Sequence, residues 1–452
     1  MFKKAIFHGG IHPPENKLTD NAKIERIEDI SLVRIPMNMH IGAPCTPIVK
    51  KGDKVDFGQV IGEPSGIAVP IHASVSGTVK SVKKTLLGTG VLVDVVEIEN
   101  DFENRLHESI KPPKVETKEE FLKAVRDSGI VGLGGAGFPT HVKLNPPPDQ
   151  APDLLLINAM ECEPYITSDD RQCVEQPNNI IQGIELVLQY LGIPKAIIGM
   201  ESNKPRASQA IKEAISKKNM EDKISIKVMP TRYPQGAEKT LIQALTGRIV
   251  PAGALPSAVH VIVMNVSTLN MIETYFRSGL PLTRKVLTLS GDGVNKPGNY
   301  FVPIGTRISE LVEKAGGFKH EPKKILMGGP MMGIAVSDID TSIVKNNNAI
   351  LVFGHDVSIG EELNCINCGR CLRACPMKLM PTKLDKASRK RDYERLDHFL
   401  VQNCIECGCC TYVCPSKRTL VQNIRIGKGY HRAEGMRLKA EREAKEKKEA
   451  AK

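Results

Sequence analysis

Apolar and polar positions alternate in two different ways along the chain. Between residues 36 and 98 the alternation is residue by residue and is interrupted by turn pairs, which is typical of half-buried strands. After the capping box Thr117-x-x-Glu120, whose helix ends at Gly129, short apolar runs alternate with segments of helical period. The first pattern predicts a small β domain, and the second predicts a parallel sheet with helices on its faces.

The same patterns predict the remaining elements. Residues 283–336 predict a strand, a hairpin at Gly291-Asp-Gly293, a helix over 308–315 and a strand over 324–327. From Arg432 onward Lys and Arg alternate with Glu and leave almost no apolar stripe, which is typical of a solvated or frayed helix. In the parallel sheet, strands are predicted over 154–158, 196–200, 224–229 and 259–266, with helices over 180–191 and 207–216.

A glycine-rich loop follows Gly129 directly. It contains Gly132, Gly134, Gly135 and Gly137, and Lys143 comes shortly after it. Glycines let the backbone approach a ligand and point consecutive N–H groups at it, and the lysine supplies a cation at the end of the loop. A tight structural turn explains such a stretch equally well, so the loop alone does not predict a phosphate site.

Other polar residues lie where the predicted strands end or where their helices begin. They are Asn158, Glu161, Glu163, Gly236, Glu238 and Asn265. Ligands of parallel sheets bind at the carboxyl ends of the strands. The convergence of these loops predicts a ligand site at that edge, although each carboxylate alone is also compatible with a solvated loop.

Eight of the twelve cysteines form two identical runs. Each run has the spacing C-x2-C-x2-C-x3-C-P, which is the pattern of bacterial two-cluster ferredoxins. Three thiolates of a run hold one cube of iron and sulfide, and the fourth reaches the other cube. The spacing therefore predicts two 4Fe–4S clusters, one held by Cys365, Cys368, Cys371 and Cys414, and the other by Cys404, Cys407, Cys410 and Cys375.

Other uses of these cysteines fit the spacing less well. Zinc ribbons need four ligands and leave the third and fourth cysteine of each run without a role. Disulfides are rare in a chain without an export signal. Cys409 neighbours Cys410 but breaks the register and is interpreted as a packed thiol, and Cys45, Cys162 and Cys173 are predicted to be small buried apolar residues.

Composition excludes several classes of protein. Apolar residues make up 41% and charged residues 25% of the 452 residues, which is ordinary for a globular protein of about three domains. No apolar run approaches the roughly 18 residues of a membrane span, and the stretch before His8 is too short for a signal peptide. We therefore expect a cytoplasmic protein whose membrane contact is at most peripheral.

The net charge of +11 is concentrated at one end. From Cys365 onward the chain has 21 Lys and Arg against 10 Asp and Glu, so the remainder is neutral. The chain has no Trp and Tyr430 is isolated, so nucleic acid is not expected as a partner. The charge favours docking of an acidic redox partner or an anionic lipid surface, although a solvated helix also tolerates it. Basic residues crowd the segment between the two runs, among them Lys383, Lys386, Arg389, Lys390, Arg391 and Arg395.

Several of these motifs resemble those of known flavoproteins. The stretch from Gly132 to Lys143 is similar to the flavin loop of the NADH-oxidising subunit of respiratory complex I. Residues 158–164, 236–238 and 265–269 resemble three later loops of that subunit. With the two cysteine runs, these motifs make residues 10–425 similar to the RnfC family of the Rnf electron-transport complexes. That family implies a peripheral subunit on the cytoplasmic side of the cell membrane. The complex exchanges electrons between ferredoxin and NAD, in some members with sodium or proton transport.

The resemblance implies a flavin site and a nucleotide site. The backbone of residues 134–137 with Lys143, Asn158 and Asn265 would hold non-covalent FMN, and Phe138, Glu163 and Glu238 would face NAD(H). Met160 and Ala237 stand where the related loops usually have acids. Hydride transfer belongs to the flavin, so no side chain is predicted to act as a catalytic acid or base. The predicted cofactor-binding residues are Gly132, Gly134, Gly135, Gly137, Phe138, Lys143, Asn158, Glu161, Glu163, Gly236, Glu238 and Asn265.

The resemblance also implies that the chain is an α/β protein of several domains. The hairpin that carries a modifiable lysine in biotinyl and lipoyl domains reads Ala68-Val-Pro-Ile-His72, so no swinging arm is expected and His72 is interpreted as a packed or surface histidine. The predicted parts are an N-terminal segment (1–35), a barrel-sandwich β domain of the biotinyl or lipoyl type (36–103), a Rossmann-like FMN/NADH domain (117–280), a soluble-ligand-binding β-grasp module (283–336), an α-helical two-cluster ferredoxin domain (358–425) and a basic C-terminal tail (426–452).

Two other functions remain open at this level. A soluble, microcompartment-associated cobalamin reductase shares the same plan of flavin and clusters, and a relay whose flavin site has decayed would use the clusters alone. The expected partners are the other membrane and peripheral subunits of an Rnf-type complex, ferredoxin (directly or through another subunit) and NAD(H). The electron-transfer function predicts one FMN and roughly eight irons per chain.

Overall fold

The chain forms two compact units in the computed structural model, which describes residues 7–87, 90–355 and 360–450. The unit that we call the body contains residues 14–231 and 256–355. The cysteine unit contains residues 7–13, 232–255 and 360–450. The predicted N-terminal segment, barrel-sandwich domain, ferredoxin domain and tail each include a few residues that lie outside these described ranges.

Two small antiparallel sheets form the first part of the body, as the alternating pattern predicts. The strands from this part of the chain are β1 (Ile24–Arg26), β2 (Leu32–Pro36), β3 (Thr46–Pro47), β4 (Lys54–Val55), β5 (Val60–Glu63), β6 (Ile71–His72), β7 (Gly77–Leu86) and β8 (Leu92–Asn100). Strands β2, β8, β7 and β4 form one sheet in that order, and β3, β5 and β6 form the other. Strand β2 pairs with β8 along its whole length, whereas the predicted domain boundary lies at residue 36. His72 is buried, and this burial lowers its pKa to about 3.

A four-stranded parallel sheet forms the centre of the body. Its strands lie in the order β11-β10-β9-β12, and every predicted strand and helix between residues 154 and 266 is present to within three residues. The elements of this region are α1 (Lys118–Asp127), α2 (Thr140–Lys143), β9 (Leu154–Ala159), α3 (Ser168–Glu175), α4 (Pro177–Leu191), β10 (Lys195–Glu201), α5 (Pro205–Lys217), β11 (Ile224–Met229), α6 (Glu238–Thr246), β12 (Val261–Asn265) and α7 (Val266–Ser278). Helix α3 has no counterpart in the prediction, and α6 belongs to the cysteine unit.

A six-stranded mixed sheet with one helix completes the body. Its elements are β13 (Arg284–Ser290), β14 (Gly298–Pro303), α8 (Ile308–Lys314), β15 (Lys324–Met327), β16 (Ile334–Val336) and β17 (Ala349–Phe353). The strand order is β1-β14-β13-β17-β15-β16, so β1 joins this sheet although it lies far earlier in the chain. The helix and strands match the predicted β-grasp pattern, and β1 is an addition that sequence patterning does not indicate.

Short helices around the two cysteine runs and one long helix form most of the cysteine unit. They are α9 (Arg370–Ala374), α10 (Pro381–Lys390), α11 (Tyr393–His398), α12 (Cys409–Tyr412) and α13 (Leu420–Ala450). The predicted boundary at residue 425 falls inside α13, so one helix continues from the predicted ferredoxin domain into the predicted tail. Among the helices of the described residues, none combines the length and the apolar character needed to cross a membrane.

Candidate functional site

The glycine-rich loop is held against the carboxyl edge of the parallel sheet. The backbone N–H of Leu133 donates to Oγ1 of Thr268 in α7 over 3.1 Å. A Cβ atom on Gly134 would lie 2.5 Å from Nδ2 of Asn265, the last residue of β12. Because real Cβ atoms do not approach other atoms this closely, only glycine permits the loop to lie here.

The loop turns its carbonyl groups toward the protein and its N–H groups away from it. Oxygen atoms of Gly137 and Gly135 accept from Ile41 N over 3.1 Å and from Nδ2 of Asn346 over 3.0 Å. Within the described part of the chain, the N–H groups of residues 134–137 meet no hydrogen-bond acceptor. Residues 134–136 are also exposed, so this row of N–H groups fits the polar atoms of a flavin or a phosphate.

Lys143 and Asn158 lie beside the loop, as predicted. Nζ of Lys143 donates to the carbonyl oxygen of Val263 in β12 over 3.2 Å. Asn158 pairs in register with Asn265 on the neighbouring strand, and its Oδ1 accepts from Met160 N over 3.2 Å. One cation and two amide side chains therefore converge on the edge where the N–H groups are free of protein acceptors.

The acidic loop after β9 is held by a residue that sequence reasoning missed. Nζ of Lys17 donates to the carbonyl oxygens of Glu161, Glu163 and Ile166 over 2.8, 2.9 and 2.6 Å. Burial lowers the pKa of this lysine, and the Glu161 carboxylate partly opposes that effect. Glu161 has a φ of 44°, in the left-handed region that a non-glycine residue adopts only when it is held there. No sequence motif marks Lys17.

The carboxylate of Glu161 caps helix α3. It accepts from the backbone N–H groups of Asp169 over 2.7 Å and of Asp170 over 3.2 Å, where the helix dipole favours negative charge. The Asp169 carboxylate in turn accepts from Nδ2 of Asn265 over 2.7 Å and from Oγ of Ser267 over 2.6 Å. This network connects the acidic loop to the residue that contacts Gly134.

Burial makes the acids of this network weak. It raises the pKa values of Asp169 and Asp170 to about 6, and the nearby Glu161 carboxylate adds to both shifts. The sequence signal for these two residues was the stretch Ser168-Asp-Asp, which the prediction left without a role. The network gives Asp169 a role, because its carboxylate positions Asn265 and Ser267 at the start of α7.

Glu163 reaches a loop of the mixed sheet. Its carboxylate accepts from the backbone N–H groups of Met331 over 3.1 Å and Met332 over 2.9 Å. The glycine-rich stretch 328–333 is thus a turn whose backbone N–H groups bind a protein carboxylate. The predicted role of Glu163 toward a nucleotide is not visible in these contacts.

The structure brings ten of the twelve predicted cofactor-binding residues together in the body. Gly236 and Glu238 belong instead to the cysteine unit, where they lie before and at the start of α6. In that unit Tyr233 is 2% exposed, and its hydroxyl donates to the carbonyl oxygen of Cys407 over 2.7 Å. The loop that leads to Glu238 is therefore packed against a predicted cluster-binding run.

Five cysteines from both runs line one small apolar pocket. Four of them, Cys375, Cys404, Cys407 and Cys410, are the set predicted for one cluster, and the fifth is Cys409. Burial raises the pKa of the Cys404 thiol to about 11 and that of Cys410 further. The fourth cysteine of the first run thus joins three of the second, as interlocking requires.

The other predicted set is also brought together in part. Burial raises the pKa of the Cys371 thiol, and the neighbouring thiols of Cys414 and Cys365 add to this shift. Cys368 is exposed on the same turn. The backbone turns of the two runs are similar. Asn367 and Gly369 of the first run have φ values of 56° and 70°. The equivalent residues of the second run, Glu406 and Gly408, have φ values of 58° and 76°.

Of the four cysteines that are not predicted cluster ligands, three are buried as predicted and Cys162 is not. Cys409 is fully buried, and its hydrogen bond with the Cys407 thiol, together with burial, raises its pKa. Cys45 and Cys173 are buried, whereas Cys162, in the acidic loop, is only half-buried. Cys409 also lines the pocket, beside the four thiols predicted to bind a cluster, and the soft sulfur donors and apolar walls of the pocket fit an iron–sulfur cluster.

Comparison with known families divides the chain in a similar way. Family profiles match at residues 5–103 (RnfC barrel sandwich hybrid domain), 125–274 (Nuo51 FMN-binding domain), 286–335 (SLBB domain) and 364–418 (4Fe-4S dicluster domain). The four profiles correspond to the four predicted folds, and the barrel-sandwich profile also includes residues 5–35, which the predicted domain division assigns to a separate N-terminal segment.

Curated relatives resemble nearly the whole chain. The C subunit of the proton-translocating ferredoxin:NAD(+) oxidoreductase complex of Clostridium ljungdahlii is 43% identical over 96% of this chain and 96% of its own. Its Na(+)-translocating counterpart from Acetobacterium woodii is 43% identical over 94% of this chain and 97% of its own. The C subunit of the ion-translocating oxidoreductase complex of Rhodobacter capsulatus is 39% identical over 93% of this chain and 82% of its own.

Proposed function

Because the chain belongs to the family of C subunits of ion-translocating ferredoxin:NAD(+) oxidoreductase complexes, we propose that it exchanges electrons between NAD(H) and the other subunits of such a complex. FMN bound in the body would exchange hydride with the nicotinamide, and two 4Fe–4S clusters would carry single electrons. Its partners are the remaining subunits, with ferredoxin as the second redox substrate of the complex.

One observation carries this proposal most directly. The N–H groups of residues 134–137, of which residues 134–136 are exposed, meet no acceptor among the described residues and lie at the same sheet edge as Lys143, Asn158 and Asn265. This arrangement supports binding of a flavin through backbone groups, while the lysine offers a charge to its phosphate. The residues of the chain thus hold and orient the flavin, and no side chain is required to move a proton.

The cysteine unit supports the one-electron part of the proposal. The pocket contains Cys375, Cys404, Cys407 and Cys410, the four sulfur ligands proposed for one cluster, and has apolar walls. The turns of the first run resemble those of the second. Two clusters in one small domain allow electrons to leave one at a time. Glu163 and Glu238 are proposed to face the nucleotide only when it is bound.

We place the protein at the cytoplasmic side of the membrane as a peripheral subunit. The relatives are named as subunits of ion-translocating complexes, and ion translocation takes place across a membrane. NAD(H) and ferredoxin are substrates inside the cell, which supports the cytoplasmic side. The relatives also favour this function over a cobalamin reductase.

Cofactor content and nucleotide reduction test the proposal. The full chain, reconstituted with iron, sulfide and FMN, is expected to retain one flavin and roughly eight irons and to bleach the flavin with NADH. The double variant Gly135→Val with Glu163→Ala should lose flavin and NADH-to-dye activity but keep its iron. A reconstituted protein without flavin, or a double variant with unchanged activity, would show that the chain is only a relay.

A further inference from the structure

The body contains a cavity of about 500 Å³ that the proposed electron transfer does not use. It runs along one side of α7, where Ser267, Asn270, Met271 and Thr274 line it. Of the twelve residues predicted to bind FMN or NAD(H), none lines it, and Leu133 is its one contribution from the glycine-rich loop. The cavity is therefore separate from the row of free N–H groups.

The inner end of the cavity contains a buried lysine. Lys285, at the start of β13, is 5% exposed, and its Nζ donates to the carbonyl oxygen of Lys345 over 2.8 Å. This is its one hydrogen bond among the described residues, whereas an ammonium group has three donors. Burial lowers the pKa of Lys285 to about 7, and the Asp169 carboxylate partly opposes the shift. An acceptor inside the cavity would satisfy a group that is costly to bury unpaired.

The mouth of the cavity carries more positive than negative charge. Arg26 lies over the ring of Phe301 at 4.8 Å, and Arg284 lies over the ring of Phe57 at 5.0 Å. Both guanidinium groups pair with the same carboxylate, Glu28, at 2.8 Å. The buried Nε of Arg284 has no acceptor among the described residues. Two cations share one anion at the entrance, so the field there attracts an anionic ligand.

The walls between the mouth and the lysine are largely apolar. Phe57, Phe301, Met271 and Leu280 contribute side chains to them. A small inorganic anion would leave these walls in contact with water, and a neutral apolar molecule would leave Lys285 with a single acceptor. The volume lies within the usual range of small-molecule sites.

We infer that this cavity is a second ligand site, which binds a small amphipathic anion with its acidic head at Lys285 and its apolar body between Phe57 and Met271. Three features of the lining support this inference. The inner end has one cation with unused donors, the walls are largely apolar, and the entrance is cationic. Binding there is independent of the flavin, because the two sites share no ligand-binding side chain.

Two probes of equal shape test the acidic head. We propose titration calorimetry on the full chain with FMN and both clusters, using 2-naphthoate and its uncharged amide, 2-naphthamide. One molecule of 2-naphthoate should bind per chain, and 2-naphthamide should bind at least about tenfold more weakly because it cannot pair with Lys285. The same titration on flavin-free protein should give the same affinity.

Two variants locate the site. Lys285→Met should abolish the preference for 2-naphthoate, since it removes the cation and keeps most of the side-chain volume. Met271→Trp should fill the cavity and prevent binding of both probes. Lys296→Met, an exposed lysine paired with Glu25 and not in the lining, is the matched control and should bind 2-naphthoate like the unmodified chain. Flavin content and melting temperature report whether each variant is folded.

Three results would overturn the inference. One is the absence of 2-naphthoate binding up to its solubility limit. Another is binding that Met271→Trp and Lys285→Met both leave unchanged in folded protein. The third is binding to flavin-free protein alone, which would make the cavity part of the flavin site.

Discussion

At the scale of single residues, the acidic loop depends on a lysine that precedes it by more than a hundred positions. Lys17 binds three carbonyl groups, and those bonds keep Glu161 in its left-handed conformation under the N-terminus of α3. Glu161 in turn orders Asp169, which holds Asn265. A loop that is expected to hold a flavin is thus shaped by a residue with no contact to the glycine-rich loop.

We expect Lys17→Met to loosen this loop. Loss of charge-assisted hydrogen bonds to carbonyl groups should destabilise the body by about 2 kcal/mol and weaken FMN binding roughly tenfold. Flavin fluorescence during titration of flavin-free protein measures the affinity. Lys23→Met changes an exposed lysine nearby and should leave the affinity as it is. Equal flavin affinities in the two variants would contradict a role for Lys17 in the site.

Asp170 makes the stability of the body depend on pH. Burial and Glu161 raise its folded-state pKa from the ordinary 3.8 to about 6, and its buried Oδ1 has no hydrogen-bond partner among the described residues. The folded state therefore binds the proton more tightly than the unfolded state, so stability is lost as pH rises through the window from about 4 to 6. Asp170→Asn removes the buried charge and should raise the unfolding free energy by about 1–2 kcal/mol at pH 8.

Denaturant titrations at several pH values measure this effect. Below about pH 3 the advantage of Asp170→Asn should disappear, because the carboxyl of Asp170 is then protonated in both the folded and the unfolded state. Asp149→Asn, at an exposed position of the same domain, should show no such pH dependence. An advantage that is constant from pH 4 to pH 8 would rule out titration of Asp170 as its cause.

At the scale of elements, two glycines of α13 have opposite surroundings. A Cβ atom on Gly427 would overlap Oγ of Ser388 in α10, whereas a Cβ atom on Gly429 would meet nothing within 4 Å. Further along α13, His431 stacks on Tyr393 of α11 with ring centroids 4.6 Å apart. The first turns of α13 thus pack closely on the helices between the two cysteine runs.

The two glycines provide a matched pair of substitutions. Gly427→Ala should destabilise the cysteine unit by about 1–3 kcal/mol, because α13 must move away from α10. Gly429→Ala should stabilise it by about 0.5–1 kcal/mol, because alanine favours a helix over glycine. Loss of iron–sulfur absorbance on heating reports both effects. A Gly427→Ala protein as stable as Gly429→Ala would show that the close packing of α13 on α10 does not matter.

Elements with a clear period could be predicted, and those held by distant partners could not. Strands β9 and β10 contain apolar runs, and apolar and polar residues alternate in most of β11, so the sequence pattern of each strand is local. Helix α3 is polar and is capped by Glu161 from outside the helix, so neither its period nor a local cap reveals it. Strand β1 is three residues long and exists because it pairs with β14.

The same distinction applies to the candidate site. Glycine and cysteine spacings are local, and the residues that they indicate lie where a ligand can be bound. Gly236 and Glu238 belong to the cysteine unit because residues 232–255 pack there. No local sequence pattern indicates to which unit these residues belong. Lys17 and Lys285 act through contacts that only the fold creates.

At the scale of the whole molecule, the excess positive charge is displayed on the cysteine unit. The six basic residues named above between the runs are all exposed, as is Lys378. Arg389 is bound to Glu362 and to the buried Asp385, and Arg395 pairs with Asp392. In the described part of the chain no carboxylate pairs with the other four, namely Lys383, Lys386, Lys390 and Arg391. These four remain available to an acidic partner.

We expect Lys390→Glu with Arg391→Glu to slow electron transfer to the partner complex about tenfold at low salt, and to leave NADH-to-dye activity unchanged. Salt should reduce the difference, because exposed charges are screened beyond a Debye length of roughly 8 Å. Stopped-flow rates at several ionic strengths measure it. Lys445→Glu with Lys447→Glu changes the net charge equally on exposed residues of α13 and is the control. Rates insensitive to both charge reversal and salt would exclude docking here.

The cysteine unit consists of three segments that are far apart in the sequence, and this affects the order in which the two units can fold. Gly10 N donates to Ala374 O over 2.9 Å, and Ile11 N donates to Tyr233 O over 2.8 Å. The ribosome makes residues 7–13 and 232–255 before residues 360–450, so these early segments lack their later partners until the cysteine runs have been synthesised. Such high contact order slows folding and leaves apolar surface accessible to chaperones or to aggregation. The body can therefore fold first, and iron–sulfur assembly becomes a later step in the maturation of the protein.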